Sequence, residues 1–179
     1  MDRIITFDPD EINDESVDAL IEDLTSLTLT SSENIQLTMS SNGGKLLAAH
    51  RLYEFLCKLQ DTTLIFGFVD GMCHSAAVLP LLGCTYRTAV PSATFLVHYP
   101  HYTLDEEILY ANDPNQKQSE GKKQEIYAML RSHTGMLLQV LTEETCYPAE
   151  LWEGVMQAGL HHFSKDAYDW GLIDAIISC

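Results

Sequence analysis

Apolar residues along the chain alternate between two spacings. Arg3 to Phe7 reads as a short strand, and Asn34-Ile-Gln-Leu-Thr-Met39 alternates apolar with polar, as a half-buried strand does. Between them Val17, Leu20, Ile21 and Leu24 fall on one face of a helix over about Asp14 to Thr25, which Asn13 or Asp14 can cap. Ser40-Ser-Asn-Gly-Gly44 breaks the second strand, and Leu52, Phe55, Leu56 and Leu59 mark a helix that runs to about Leu59. Thr63 to Val69 is almost wholly apolar and suits a strand buried on both sides. Ser75 to Leu82 then reads as helix, and Tyr86–Ala89 and Thr94–His98 as extended segments.

This alternation predicts an α/β layer structure with right-handed crossovers and a mostly parallel sheet. Ligand chemistry in such folds lies beyond the carboxyl ends of the strands. Three predicted strand ends carry polar or glycine-rich sequence: Ser-Ser-Asn-Gly-Gly44, Asp70-Gly-Met-Cys-His-Ser75 and His98-Tyr-Pro-His101. From His101 to Gly121 the chain is polar and charged and reads as a projecting or mobile segment. A long helix follows over Lys122 to Leu141, diluted by Gly135. Short helices over Pro148–Met156 and Ser164–Trp170 come next, and Leu172–Ile177 closes the chain as a strand or strand-like tail. No internal repeat is visible.

Composition narrows the function. A chain of 179 residues with 46% hydrophobic content suits one domain, 1–179, with a sizeable core. Ten basic against 26 acidic residues, a net charge of −16, argue against nucleic acid and anionic membranes as partners. The five cysteines (57, 73, 84, 146 and 179) form no Cys-x-x-Cys pair and sit in or beside apolar segments, as expected of reduced thiols in the cytoplasm. The N-terminus has no signal-peptide pattern. Asp70, His74 and Pro80 interrupt the most apolar stretch, Thr62–Leu82, before it reaches the length of a membrane span.

Ser75, where strand gives way to helix, is on local sequence either an ordinary N-cap or a nucleophile. At a helix start its hydroxyl meets the positive end of the dipole, and the N–H of Ala76 has no intrahelical acceptor. A free N–H beside a nucleophile is half an oxyanion hole. Gly43-Gly44 at a neighbouring strand end can bring up the other half, unless it is only a turn. His98, at the next strand end, is the best-placed base, unless it is a structural histidine.

The order of these pieces resembles a known family. Asp2-Arg-Ile-Ile-Thr-Phe, Ser-Asn-Gly-Gly44, Gly71-x-x-x-Ser75-Ala-Ala, Ala89-Val-Pro-Ser-Ala-Thr-Phe-Leu-Val-His98-Tyr-Pro and Phe163-Ser…Ala167-Tyr-Asp-Trp-Gly-Leu-Ile-Asp174 are similar to the proteolytic subunit of Clp protease, ClpP. The resemblance implies the ClpP/crotonase superhelix of ββα units with a protruding handle helix, here about 101–141. It also implies stacked homo-oligomeric rings and a serine endopeptidase acting on peptides through an acyl-enzyme. Carried over residue by residue, Ser75 is the nucleophile, His98 the base, and Gly44 and Ala76 the oxyanion donors. No cofactor or metal is implied.

The sequence departs from the family at several points. The family's aspartate belongs a few residues before Phe163-Ser, where this chain reads Gln157-Ala-Gly-Leu-His-His-Phe163. That leaves Glu153, His161 or Asp166 to orient His98, or a weak or silent site. The His161-His162 pair has no further ligands at metal spacing and reads as two solvent-facing histidines. Pro80 removes a backbone hydrogen bond from the Ser75 helix, at a cost of about 3 kcal/mol if the helix is regular, so a kink or short first turn is expected. The helix between Gly44 and Ser75 carries a small insertion relative to the family. The chain opens almost on its first strand, which argues against an ATPase unfoldase as partner. An inactive ClpP-like assembly protein and, further off, a crotonase-type acyl-CoA enzyme are the alternative readings.

Overall fold

The structure is a computed structural model that describes residues 3–30, 33–114, 116 and 119–178. Asp2 and Cys179, both used above, lie outside the described residues, as do positions 115, 117 and 118 of the polar segment. Among the described residues a seven-stranded sheet is built around β1 (Arg3–Phe7), β2 (Ile35–Ser41), β3 (Ile65–His74), β4 (Tyr86–Ala89) and a short β9 (Ala175–Ile176), paired in that order. These pairings are all parallel. The helices α1 (Asp14–Thr30), α2 (Leu46–Leu59) and α3 (Val78–Leu82) supply the crossovers.

Local chemistry sets the element boundaries. Asn13 caps α1 reciprocally: its Oδ1 accepts from the Ser16 N–H at 3.0 Å, and its own N–H donates to Ser16 Oγ at 3.0 Å. The helix runs to Thr30 and not to Thr25, and within it the hydroxyls of Thr25 and Thr28 donate back to the carbonyls of Ile21 and Thr25. In β2, Ile35, Leu37 and Met39 are buried and the residues between them half-buried. β3 shows the same alternation: Ile65 and Val69 enter the core, whereas Phe66 and Phe68 are half-buried on the opposite face, so this strand is not buried on both sides as its composition suggests.

Two expectations are corrected. The segment Asp70–His74 is not a loop after a strand but the second half of β3. A register shift between Met39 and Ser41 of β2 lets β3 bend past Asp70 and Gly71. Its first half pairs with β4 and its second with β5 (Thr94–Leu96), through Met72↔Thr94, Cys73↔Phe95 and His74↔Leu96. β5 in turn pairs antiparallel with β8 (His161–Phe163). The sheet therefore turns a corner next to Ser75.

The polar segment after His98 is not simply mobile. His101–Leu104 (β6) and Glu107–Tyr110 (β7) form an antiparallel hairpin. Leu104 and Leu109 pack on Ile126, Tyr127 and Leu130 of the long helix α4 (Lys122–Glu144), making a small second core. The turn residues Asp105 and Glu106 both have positive φ, 47° and 70°, the geometry of a type I′ turn, normally signalled by Asn-Gly or Asp-Gly. A glutamate is strained there. Glu106→Gly is expected to stabilise the protein by about 0.5–1 kcal/mol, after the extra freedom of glycine in the unfolded chain is deducted. Urea unfolding reads this as a higher midpoint at unchanged m-value, and a lower midpoint contradicts it.

The C-terminal third is fixed by an aromatic cluster and an ion pair. Trp152 of α5 (Ala149–Ala158) is fully buried, donates its Nε1–H to Thr145 Oγ1 at 3.1 Å, and meets Tyr147 and Trp170 edge-on. α6 (Ser164–Trp170) follows β8 and ends at Gly171 in the left-handed region. Asp174 then accepts the Arg87 backbone N–H at 2.7 Å and pairs with the Arg87 guanidinium, which also donates to the Glu144 carbonyl at the end of α4.

Candidate active site

Ser75 stands at the junction of β3 and a 3-10 turn, Ser75–Ala77, that leads into α3. His74 is extended, and Ser75 takes φ 55°, a left-handed conformation that costs a non-glycine residue about 1–2 kcal/mol. The backbone reverses sharply there and places the serine at the apex of a strand-to-helix turn, the local geometry of a nucleophile elbow. Splitting the helix into a 3-10 turn and α3 also accommodates Pro80. It falls at the third residue of α3, within the first turn, where its missing N–H has no intrahelical acceptor to lose. Among the described residues Ser75 Oγ has no hydrogen-bond partner, so Ser75 is not serving as a cap.

Gly43 and Gly44 cross directly over this turn, at φ 95° and 149°. A Cβ on Gly43 would lie 2.6 Å from the His74 carbonyl oxygen, 2.8 Å from Ser75 Cβ and 3.0 Å from the Ala76 nitrogen. One on Gly44 would lie 2.3 Å from the Ile12 carbonyl oxygen. The pair is pinned by Ile12, whose N–H donates to the Gly43 carbonyl at 2.8 Å and whose carbonyl accepts from Lys45 at 2.7 Å. The C=O and N–H of one trans peptide group point opposite ways, so with the Gly43 carbonyl facing Ile12 the Gly44 N–H points away from it. Gly44 lines a cavity of about 870 Å³ together with Ser75, Ala76 and His98.

His98 follows β5 and is half-buried, fixed by the neighbouring Val97 in the core. Its Nδ1 lies 2.9 Å from the Tyr99 carbonyl oxygen. A carbonyl can only accept, so Nδ1 carries the proton and Nε2 keeps a lone pair free. Burial lowers the His98 pKa below the usual imidazole value; the Tyr99 bond opposes this and His101 adds to it. The ring is neutral at neutral pH, as a base must be. His98 and Ser75 share the cavity, but among the described residues they are not hydrogen-bonded to each other.

Of the three residues proposed to orient His98, His161 lines the same cavity, whereas Glu153 and Asp166 do not. His161 meets the His74 ring edge-on at 4.7 Å. Asp166 lies 3.5 Å from His162 Nδ1. Glu153 acts on Tyr99, whose hydroxyl pKa is raised, chiefly by burial. Among the described residues none of the three is hydrogen-bonded to His98; the Tyr99 carbonyl is. His74 itself is buried, with Nε2 2.9 Å from Thr94 Oγ1, and its pKa is lowered by burial and then by His161 and His98. It joins His98, His101, His133 and His161 around the cavity, whose apolar wall includes Leu46, Val97 and Leu137. His74, His133 and the Tyr99 carbonyl carry no sequence signal that marks them as part of this site.

The fold is that of ClpP. Among solved structures the chain is similar to a point mutant of ClpP1 from Listeria monocytogenes, 18% identical, with a TM-score of 0.79 over 99% of this chain and 92% of that one. The description of the Clp protease family matches residues 1–179, and the chain belongs to that family. No curated protein matches it. Among the described residues no helix is long and apolar enough to cross a membrane.

Proposed function

We propose that the chain is a ClpP-type serine peptidase working through an acyl-enzyme, and the left-handed backbone of Ser75 is the observation that carries this reading. Strain at a non-glycine residue persists where the surrounding structure enforces it, and here it serves no cap, because the hydroxyl has no partner among the described residues. Ser75 Oγ attacks the peptide carbonyl as His98 Nε2 takes its proton. The N–H groups of Gly44 and Ala76 hold the oxyanion. His98 then protonates the departing amine, and water releases the acid by the reverse path.

The Tyr99 carbonyl holds the productive tautomer, yet it stabilises the imidazolium less than a carboxylate does. That difference supports slow turnover, and at its limit the reading of a regulatory family member. Self-assembly into stacked rings fits the exposed apolar side chains Leu29, Leu47, Leu160 and Phe163, which an oligomer would cover. The reduced thiols Cys57, Cys73, Cys84 and Cys146 fit a cytoplasmic location. A crotonase-type enzyme needs the same two amides but leaves the strained serine unexplained.

An activated peptide ester tests the route. A burst of one acyl group per subunit, followed by slower turnover, is expected, and its rate against pH has an acid limb centred below 6.5, because His98 must lose its proton and its pKa is lowered. His101→Ala removes one of the groups that lower it and shifts this limb upward. The other charged groups around the cavity, Glu11, Asp14 and Lys45, stay in place. Hydrolysis without a burst, or an acid limb well above 6.5, counts against His98 as the base.

A further inference from the structure

A second hollow, about 430 Å³, shares His98 and His101 with the main cavity. In a chain of net charge −16, no acidic residue among the described residues lines it. Its wall offers several donors: the two imidazoles, the Tyr110 hydroxyl and the amide groups of Asn112 and Gln157, beside the acceptor oxygens of Tyr99 and Gln157. Asn112 Nδ2 donates to Gln157 Oε1 at 2.7 Å, which leaves the Gln157 amide N–H groups without an acceptor among the described residues. Gly159 forms part of the wall at φ 56°, exposed and with room for a side chain at its Cβ position. The one strong donor already spent is His98 Nδ1–H, held by the neutral Tyr99 carbonyl. A carboxylate is a better acceptor than an amide carbonyl, and the donors of this wall favour one, with Glu153, which acts on Tyr99, as the neighbouring negative charge that opposes it.

We propose that this hollow binds a small organic carboxylate, whose oxygen takes the His98 Nδ1–H from the Tyr99 carbonyl and speeds proton transfer from Ser75. The site deepens the peptidase reading and rests on His98 being its base. The proton stays on Nδ1; the carboxylate adds charge where the imidazolium forms when Nε2 takes the Ser75 proton. The carboxylate can come free from solution or from a side chain of a second copy of the chain.

The intact protein is titrated with formate or acetate at constant ionic strength, with chloride as control. Two readouts are followed: the ring resonances of His98, and the rate at which a fluorophosphonate modifies Ser75. Both carboxylates are expected to move the ring signals saturably and to speed modification by about tenfold or more, with chloride doing neither. Gly159→Asp, at a left-handed position aspartate tolerates, is expected to react fast without formate and to gain nothing from it. Gln157→Glu serves if that variant does not fold. A rate in chloride that is already fast but falls on dilution, and that formate restores, assigns the carboxylate to a second copy. A rate that stays slow in chloride at every concentration assigns it to solution. Modification of Ser75 at the same rate in formate and chloride, with unmoved ring signals, overturns the proposal and leaves the peptidase reading intact. A saturable ring shift with an unreactive Ser75 retains the site and overturns the peptidase reading.

Discussion

Replacing Ser75 by alanine is expected to lower turnover of an activated peptide ester by about 10³ to 10⁴. The magnitude follows from what the site has and lacks. In a serine peptidase with a complete triad, loss of the nucleophile costs about 10⁶, and loss of the acid alone more than 10⁴, so a serine–histidine pair with no orienting group is worth about 10². Much of the cost of losing the acid comes from the wrong histidine tautomer. The Tyr99 carbonyl enforces the right one at His98, leaving only the weaker stabilisation of the imidazolium. The pair therefore falls between these limits. A second variant separates chemistry from folding. Ser75→Gly removes the nucleophile but relieves a φ of 55°, so it is expected to be equally inactive and more stable by up to about 1 kcal/mol. An inactive variant that is also less stable would mean that the serine was retained for structure.

Gly43→Ala is expected to lower the acylation rate by about 10² to 10³ with little change in substrate binding, the cost of one lost oxyanion donor. The new methyl group would stand within 3.0 Å of the His74 carbonyl, Ser75 Cβ and the Ala76 nitrogen, and none of these is the flexible end of a long side chain. The Gly43-Gly44 segment must therefore move off the serine, carrying the Gly44 N–H with it, while Ile12 holds the segment from the other side. Positive φ and overpacking together destabilise by about 1–3 kcal/mol, so the comparison is made at a temperature where circular dichroism shows the variant folded. Wild-type rates in a folded variant would show that the loop is not the oxyanion donor.

These residues illustrate what could be read before the fold was known. A repeating apolar trace marked the second strand and the first two helices, because each buries one face, whereas Thr63–Val69 showed as an almost unbroken apolar run. Ser75, His98, Gly44 and Ala76 could be grouped because each stands at the end of such an element, and the structure brings all four to one cavity. The continuation of β3 through Asp70–His74 left no trace, since the register shift against β2 interrupts the alternation that marks a strand. The hairpin carries no turn signal in the sequence, because its type I′ turn is made by Asp105-Glu106 and lacks the usual glycine. His161 reaches His74 only through the antiparallel pairing of β8, a strand too short to show a period. The partner of His98 Nδ1 was beyond any reading of side chains, because it is the carbonyl oxygen of Tyr99 and every residue has one.

The most direct measurement is the position of a fluorophosphonate adduct. After incubation of the folded protein with the probe, proteolytic mapping by mass spectrometry is predicted to place the adduct on Ser75, with Ser75→Ala unmodified and His98→Ala modified at least tenfold more slowly. An adduct on another serine, or equal modification of the wild type and Ser75→Ala, would contradict the account.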